Sequence, residues 1–230
     1  MIRKAFLAAF PYTLPIFAGF WFLAFAYGML MHSEGFSFWY PMLMAMTIFG
    51  GSLEFVAVSM LLAPFAPLPT FIIALLIQAR HLFYGIALLD RFKGMGWKKP
   101  LLIFFLCDET FSLEYTTEPP PDVDRGWFML WISFLDYLYW VSGAAMGGLL
   151  GSWLRFNTKG LSFVMTAMFA VIFWEQFKKE KTPLPAMVGA ISSLGCLLVF
   201  GSSNFMIPAM VCMLGALLLL RKRLEKKVLS

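Results

Sequence analysis

Charge is scarce in this sequence. Only 13% of its 230 residues are Asp, Glu, Lys or Arg, and 60% are hydrophobic; soluble domains carry about 25% charge. From Gly35 to Ala79 the one charged side chain is Glu54. Histidine is nearly missing: His32 and His81 stand far apart and make no metal or nucleophile cluster. The cysteines, Cys107, Cys196 and Cys212, are odd in number and form no C-x-x-C. They are expected as small apolar core residues rather than disulfides. No G-x-x-x-x-G-K-[ST], no H-E-x-x-H and no credible Ser/His/Asp set occurs. The chemistries those motifs carry, nucleotide hydrolysis and zinc or serine hydrolysis, are therefore not expected. The chain reads as a non-enzyme that needs no cofactor and no metal.

What is present is long apolar runs, with a mean hydropathy of +0.78. They cover Ala8–Met31, Phe38–Ala63, Leu68–Leu89, Leu101–Leu113, Trp127–Leu154, Leu161–Phe177, Leu184–Phe200 and Phe205–Leu220. Most approach the roughly 20 residues that cross a bilayer as a helix. Barrel strands alternate over about 10 residues, which these runs do not. The fold class is an all-α polytopic membrane protein with six to eight helical segments, one transporter domain over residues 1–230. The start, Met1-Ile2-Arg3-Lys4, mimics a signal peptide. The run behind it is too long, holds Pro11 and Pro15, and lacks a cleavage site, so it reads as a retained first helix. His32, Asn157 and Glu175 lie at segment ends and read as solvated. The charges crowd Arg91–Lys99, Glu114–Arg125, Lys178–Lys181 and Arg221–Lys227.

Basic clusters prefer the cytoplasm, which places both termini there. Eight simple crossings would break parity: three segments separate the N-terminus from Arg91–Lys99, and three more separate that cluster from Lys178–Lys181. Parity returns if one segment of each triplet fails to cross. The candidates are the second, interrupted by Gly50-Gly51-Ser52, and the short fourth, near Asp108. Broken or re-entrant helices are tolerated where protein buries them or where they line a cavity. The fifth segment carries Gly143-x-x-x-Gly147-x-x-x-Gly151, a smooth helix-packing face that lets another backbone come close.

Polar groups at bilayer depth are costly and mark functional sites by default. In Gly50-Gly51-Ser52-Leu53-Glu54 a helix break would expose backbone N–H groups that attract a substrate carboxylate. Glu54 would then hold a substrate ammonium or carry a proton. The plainer alternative is a packing bend with Glu54 bonded to a neighbour. In Gln78-Ala79-Arg80-His81-Leu82-Phe83-Tyr84, the side chains of Gln78, His81 and Tyr84 share a helix face. Arg80 is suited to binding a carboxylate or a buried acid, or to an interfacial anchor. Asp108 and Glu109 repel each other inside an apolar segment, which suits proton coupling; alternatively the segment ends there and both acids face water. Asp136 is expected near an interface with the aromatic belt rather than buried.

These stretches resemble a known family. Phe49–Phe55 (FGGSLEF) resembles F-A-G-S-x-Q/E-F. Ala79–Gly85 (ARHLFYG) resembles N-x-R-H-x-x-Y. Cys107–Leu113 (CDETFSL) resembles D-E-S/T-F. Leu138–Leu154 resembles a Trp/Gly-rich fifth helix and Pro11–Gly28 a Pro/Gly-containing first helix. The motifs are those of the AzlC/YgaZ family of branched-chain amino acid exporters, whose members often carry Gln where this chain has Glu54. The resemblance implies efflux of branched-chain amino acids across a bacterial plasma membrane, with a small membrane partner subunit of the AzlD/YgaH type. It places substrate binding at Gly50, Gly51, Ser52, Glu54, Arg80, His81 and Tyr84, and proton coupling at Glu54, Asp108 and Glu109. Two other classes compete: an intramembrane enzyme using His81 with Asp108 and Glu109, and a scaffold subunit that transports nothing.

Overall fold

The computed structural model describes residues 1–151, 153, 170, 174, 177–178, 184–205, 208–209, 211–213 and 215–220. Among them all regular structure is helical. Nearly all of the expected segment Leu161–Phe177, with Asn157, Glu175 and the basic cluster Arg221–Lys227, lies outside the described residues. The chain divides into two compact units, Met1–Val164 and Met165–Ser230.

The first unit is built on two long helices, α1 (Ile2–Ser33) and α7 (Arg125–Leu150). They run parallel: Phe6 meets Trp131, Thr13 meets Tyr139, and His32 meets Gly151. The small residues foreseen as a packing face make this contact possible. A methyl added at Gly147 would stand 2.0 Å from the Phe25 carbonyl oxygen, and one at Gly28 would stand 2.1 Å from that of Ala144. A methyl at Gly143 would stand 2.7 Å from both the Trp21 carbonyl oxygen and the Ala24 Cβ. Backbone lies on backbone, and any side chain at these positions would drive the helices apart.

The second segment is a hairpin. Helix α2 (Trp39–Thr47) starts where Phe38 and Pro41 touch Gly148. It runs against α7 until Phe49 stacks on Tyr137, 5.2 Å between ring centroids. The chain then breaks and returns as α3 (Gly51–Leu62). Tyr27 touches both arms, Met44 of α2 and Phe55 of α3. The fourth segment mirrors this from the other end. Helix α5 (Lys98–Phe104) starts beside Asp124 and Trp127. It climbs until Phe105 stacks on Tyr137 at 4.7 Å. After a break at Phe105–Cys107 it returns as α6 (Asp108–Thr116), whose Thr110 faces Asp136 and whose Glu114 faces Ser133. Both segments thus double back, as parity required. Each hairpin tip reaches Tyr137, midway along α7, where Phe49 and Phe105 lie 6.4 Å apart.

Helix α4 (Pro67–Ala87) joins the two hairpins, with Pro67 in its first turn. No residue of α4 is buried; Phe71, Leu75, Leu82, Phe83 and Ile86 are exposed. Among the described residues three helical stretches are long and apolar enough to cross a membrane: α1, α4, and Leu184–Gly201 of the second unit. That last stretch belongs to α8 (Leu184–Asn204), which kinks at Gly201, where φ is 72°. Residues 211–213 and 215–220 are also helical. All three cysteines are free thiols; Cys107 and Cys196 are buried, whereas Cys212 is exposed.

Candidate functional site

The break in the second segment falls at Ile48–Gly50, at the leading edge of the Gly50-Gly51-Ser52 expected to carry it. Phe49, not a glycine, takes the left-handed backbone conformation, with φ 44°. That is a strained state for a bulky residue. The glycines serve space instead. A Cβ on Gly50 would come 2.2 Å from Gln78 Nε2, and one on Gly51 would come 2.7 Å from the Trp140 ring.

Breaking a helix at depth frees backbone groups that must find partners. Here the Tyr137 hydroxyl donates to the Met46 carbonyl at 3.1 Å. The Gly50 N–H donates to Glu54 Oε1, also at 3.1 Å. The Trp140 indole N–H donates to Glu54 Oε1 and Oε2 at 2.9 and 3.0 Å. Glu54 is fully buried. It ties the break to α7 much as a capping-box acid ties down a helix start.

Arg80 gathers the rest. Its Nη2 donates to Ser52 Oγ at 2.6 Å, in the first turn of α3. Its Nη1 pairs with Asp108 Oδ2 at 3.0 Å, in the first turn of α6. The Tyr84 hydroxyl donates to Asp108 Oδ1 at 2.6 Å, and its ring stacks on Phe111. One guanidinium therefore holds the N-terminal ends of two half-helices that enter from opposite sides. Such ends carry partial positive charge and unfilled N–H donors. His81 lies edge-on to Tyr84; its Nδ1 and Gln78 Oε1 are buried with no hydrogen-bond partner among the described residues. Glu109 is half-buried beside Asp108. The segment does not end in water at these acids: Asp108 and Glu109 open α6.

One reading of a single residue needs correction. Asp136 is not at an interface: it is fully buried and accepts from Thr110 Oγ1 at 3.1 Å. Glu114, first residue of the charged stretch Glu114–Arg125, is fully buried too, and Ser133 lies 2.6 Å from its Oε1. Trp140 was missed as a polar partner. The signal was available. Ser133, Asp136 and Trp140 stand at i, i+3 and i+7, the helical period, on the face that continues into Gly143 and Gly147.

The AzlC protein family matches residues 15–154, a range that holds both hairpins and every group just described. Over 229 residues the chain is 54% identical to "Branched-chain amino acid transport protein AzlC" of Bacillus subtilis, covering 100% of this chain and 90% of that one. The chain belongs to the AzlC family. An uncharacterized membrane protein of Haemophilus influenzae is 45% identical over 226 residues, 98% of this chain and 91% of its own. "Inner membrane protein YgaZ" of Escherichia coli is 27% identical over 193 residues, 79% of this chain and 78% of its own. No solved structure matches the chain. The AzlC match leaves out residues 1–14 and 155–230, so the part the family defines lies within the two-hairpin unit.

Proposed function

We propose that this protein is a secondary transporter that exports small apolar, branched-chain amino acids across a bacterial plasma membrane, coupled to protons. The observation that carries the reading is the double hairpin with Arg80 at its junction. A free amino acid presents a carboxylate, and Arg80 with the first-turn N–H groups of α3 and α6 is a receptor for one. Gly50 and Gly51 would serve that receptor through their backbone, their missing side chains making room for Gln78 and Trp140, and Ser52 through its hydroxyl on the guanidinium. Substrate carboxylate would replace Ser52 or Asp108 on the guanidinium, and Asp108, once released, would turn to the substrate ammonium. Tyr84 and His81 border the same place. Glu54 already accepts from Gly50 and Trp140, which favours a structural and protonic role over direct contact with substrate. Glu109, beside Asp108, takes part in proton transfer.

Both termini are cytoplasmic in this reading, and residues 1–230 work as one transporter domain. The relative from Bacillus subtilis, named for branched-chain amino acid transport, supports the substrate class. A small membrane subunit of the AzlD/YgaH type would seat against the outer face of α4. The test is uptake of radiolabelled valine, leucine and a wider amino-acid panel into everted vesicles, with and without that subunit. Accumulation driven by an imposed pH gradient is expected, and Arg80→Lys, which cannot hold two partners in a planar fork, should raise KM about tenfold or more. If no amino acid accumulates even with the subunit present, the substrate assignment fails.

A further inference from the structure

The interface between α6 and α7 buries two acids that the solute site does not use. Glu114 and Asp136 are both fully buried. Glu114 Oε2 and Asp136 Oδ1 have no hydrogen-bond partner among the described residues. Each acid has one hydroxyl against it, Ser133 for Glu114 and Thr110 for Asp136. Thr110 and Glu114 are four apart on α6, and Asp136 and Ser133 are three apart on α7, so the two bridges lie one helical turn apart, about 5 Å.

Hydrogen counting separates this pair from a simple polar contact. Ser133 Oγ lies 2.6 Å from Glu114 Oε1 and 3.0 Å from the Met129 carbonyl oxygen. A serine hydroxyl has one proton to donate, and a carbonyl only accepts. Both contacts are full hydrogen bonds when Ser133 donates to Met129 and Glu114 itself donates to Ser133. That arrangement requires a proton on Glu114. The groups facing the pair agree. Cys107 and Glu109 of α6 lie near Asp136, with the Cys107 thiol 3.1 Å from Thr110 Oγ1. Arg91 lies near Glu114, but its guanidinium is directed to the carbonyl oxygens of Glu114, Tyr115 and Thr117 and to the Glu118 carboxylate. From α1, Phe6 and Tyr12 pack edge-to-face with Trp131 and Phe128. Among the described residues no ion pair reaches either carboxylate, and a proton holds such a group at lower cost than a bare buried charge.

We propose that Glu114 and Asp136 form a proton-binding pair that relays the coupling proton between the α6 C-terminal end and the Arg80 junction. Glu114 sits two residues from the end of α6, on the side of the Arg91 loop, and takes up the proton there. Glu114 hands the proton on to Asp136 and is left as a carboxylate; Asp136 then donates to the Thr110 hydroxyl, which accepts one proton and releases its own, toward Cys107 and the Asp108–Glu109 turn. No bond other than O–H or S–H forms or breaks, and no oxidant is needed. The transport role of the relay rests on the transporter reading above; the proton binding itself does not.

The experiment has two arms. Infrared difference spectra of the full chain in lipid, taken across a pH titration without solute, should show the C=O stretch of protonated carboxyl groups. One such band should vanish in Glu114→Gln and another in Asp136→Asn. Ser133→Ala should shift the Glu114 band without removing it. Absence of these bands in the wild type, or their persistence in both variants, overturns the pair whatever the protein transports. In vesicles, both variants should lose pH-driven valine accumulation by about a hundredfold while gradient-free valine exchange persists. Full pH-driven accumulation in the variants overturns the relay, as does loss of exchange together with accumulation. A wild type that moves no amino acid sinks the transporter reading alone and leaves the infrared result to decide the pair.

Discussion

Replacing Glu54 separates what its carboxylate holds together from what it carries. Oε1 accepts from both the Gly50 N–H, at 3.1 Å, and the Trp140 indole, at 2.9 Å. A glutamine side chain keeps that oxygen, so Glu54→Gln should preserve the break and cost under about 1 kcal/mol. Glu54→Leu strips both donors of their acceptor in a fully buried place. At about 1–3 kcal/mol for each orphaned group, the cost is about 2–6 kcal/mol. Trp140→Phe falls between: it removes the donor to Oε2 and leaves a gap where the second ring packed on Gly51 and Phe20, for about 2–4 kcal/mol. At about 2–4 °C per kcal/mol for a chain of this size, the melting temperature should fall by roughly 5–15 °C in Trp140→Phe and by little in Glu54→Gln. Circular dichroism melts in one detergent measure all three. A Glu54→Gln variant as unstable as Glu54→Leu, or a neutral Trp140→Phe, would refute the claim that one oxygen anchors the hairpin. Once Glu54→Gln is known to be folded, its transport phenotype reports the lost ionisable group alone.

Three further outcomes are expected. Gly147→Ala should destabilise by about 1–3 kcal/mol because its methyl meets the Phe25 carbonyl, whereas Gly85→Ala, in open space on α4, should be neutral or stabilising by up to about 1 kcal/mol; paired thermal melts check both. Single cysteines at Thr70 and Thr116 should label from opposite sides, Thr70 from outside and Thr116 from the cytoplasm; labelling of Thr116 from outside would mean that α5 and α6 cross rather than return. Asp124 caps α7 through the Trp127 N–H at 2.8 Å and pairs with Lys98 at 3.1 Å, and these contacts hold its carboxyl below its ordinary value of 3.8. Its stabilisation is therefore present above about pH 4 and lost as acid titrates it below that; a plot of melting temperature against pH should lose this acid limb in Asp124→Ala, which also gives up about 0.5–2 kcal/mol of capping.

The sequence by itself determined the helical membrane class, the breaks in the second and fourth segments, and the place of the polar cluster. Each follows from quantities local to the chain: hydropathy over a bilayer's width, the side preferred by Arg and Lys, and the cost of a charge at depth. The Gly143–Gly151 face was legible for the same reason, since a helix period is a local property. Its partner was not, because no local rule says which backbone will occupy a smooth face; the fold puts α1 there, parallel to α7. Asp136 was misplaced, and Glu114 passed over, for a related reason. A charge near Pro119-Pro120-Pro121 or beside Tyr139 and Trp140 looks solvated or interfacial until a second helix covers it, and that cover is a return strand of helix the sequence marks only as a short segment. Tertiary structure also decided the use of the glycines. Gly50 and Gly51 read as the flexible point of a broken helix. In the fold the strain sits on Phe49, and the glycines give up their side chains to Gln78 and Trp140, because what the hairpin tip needs is room for neighbours that arrive from elsewhere in the chain.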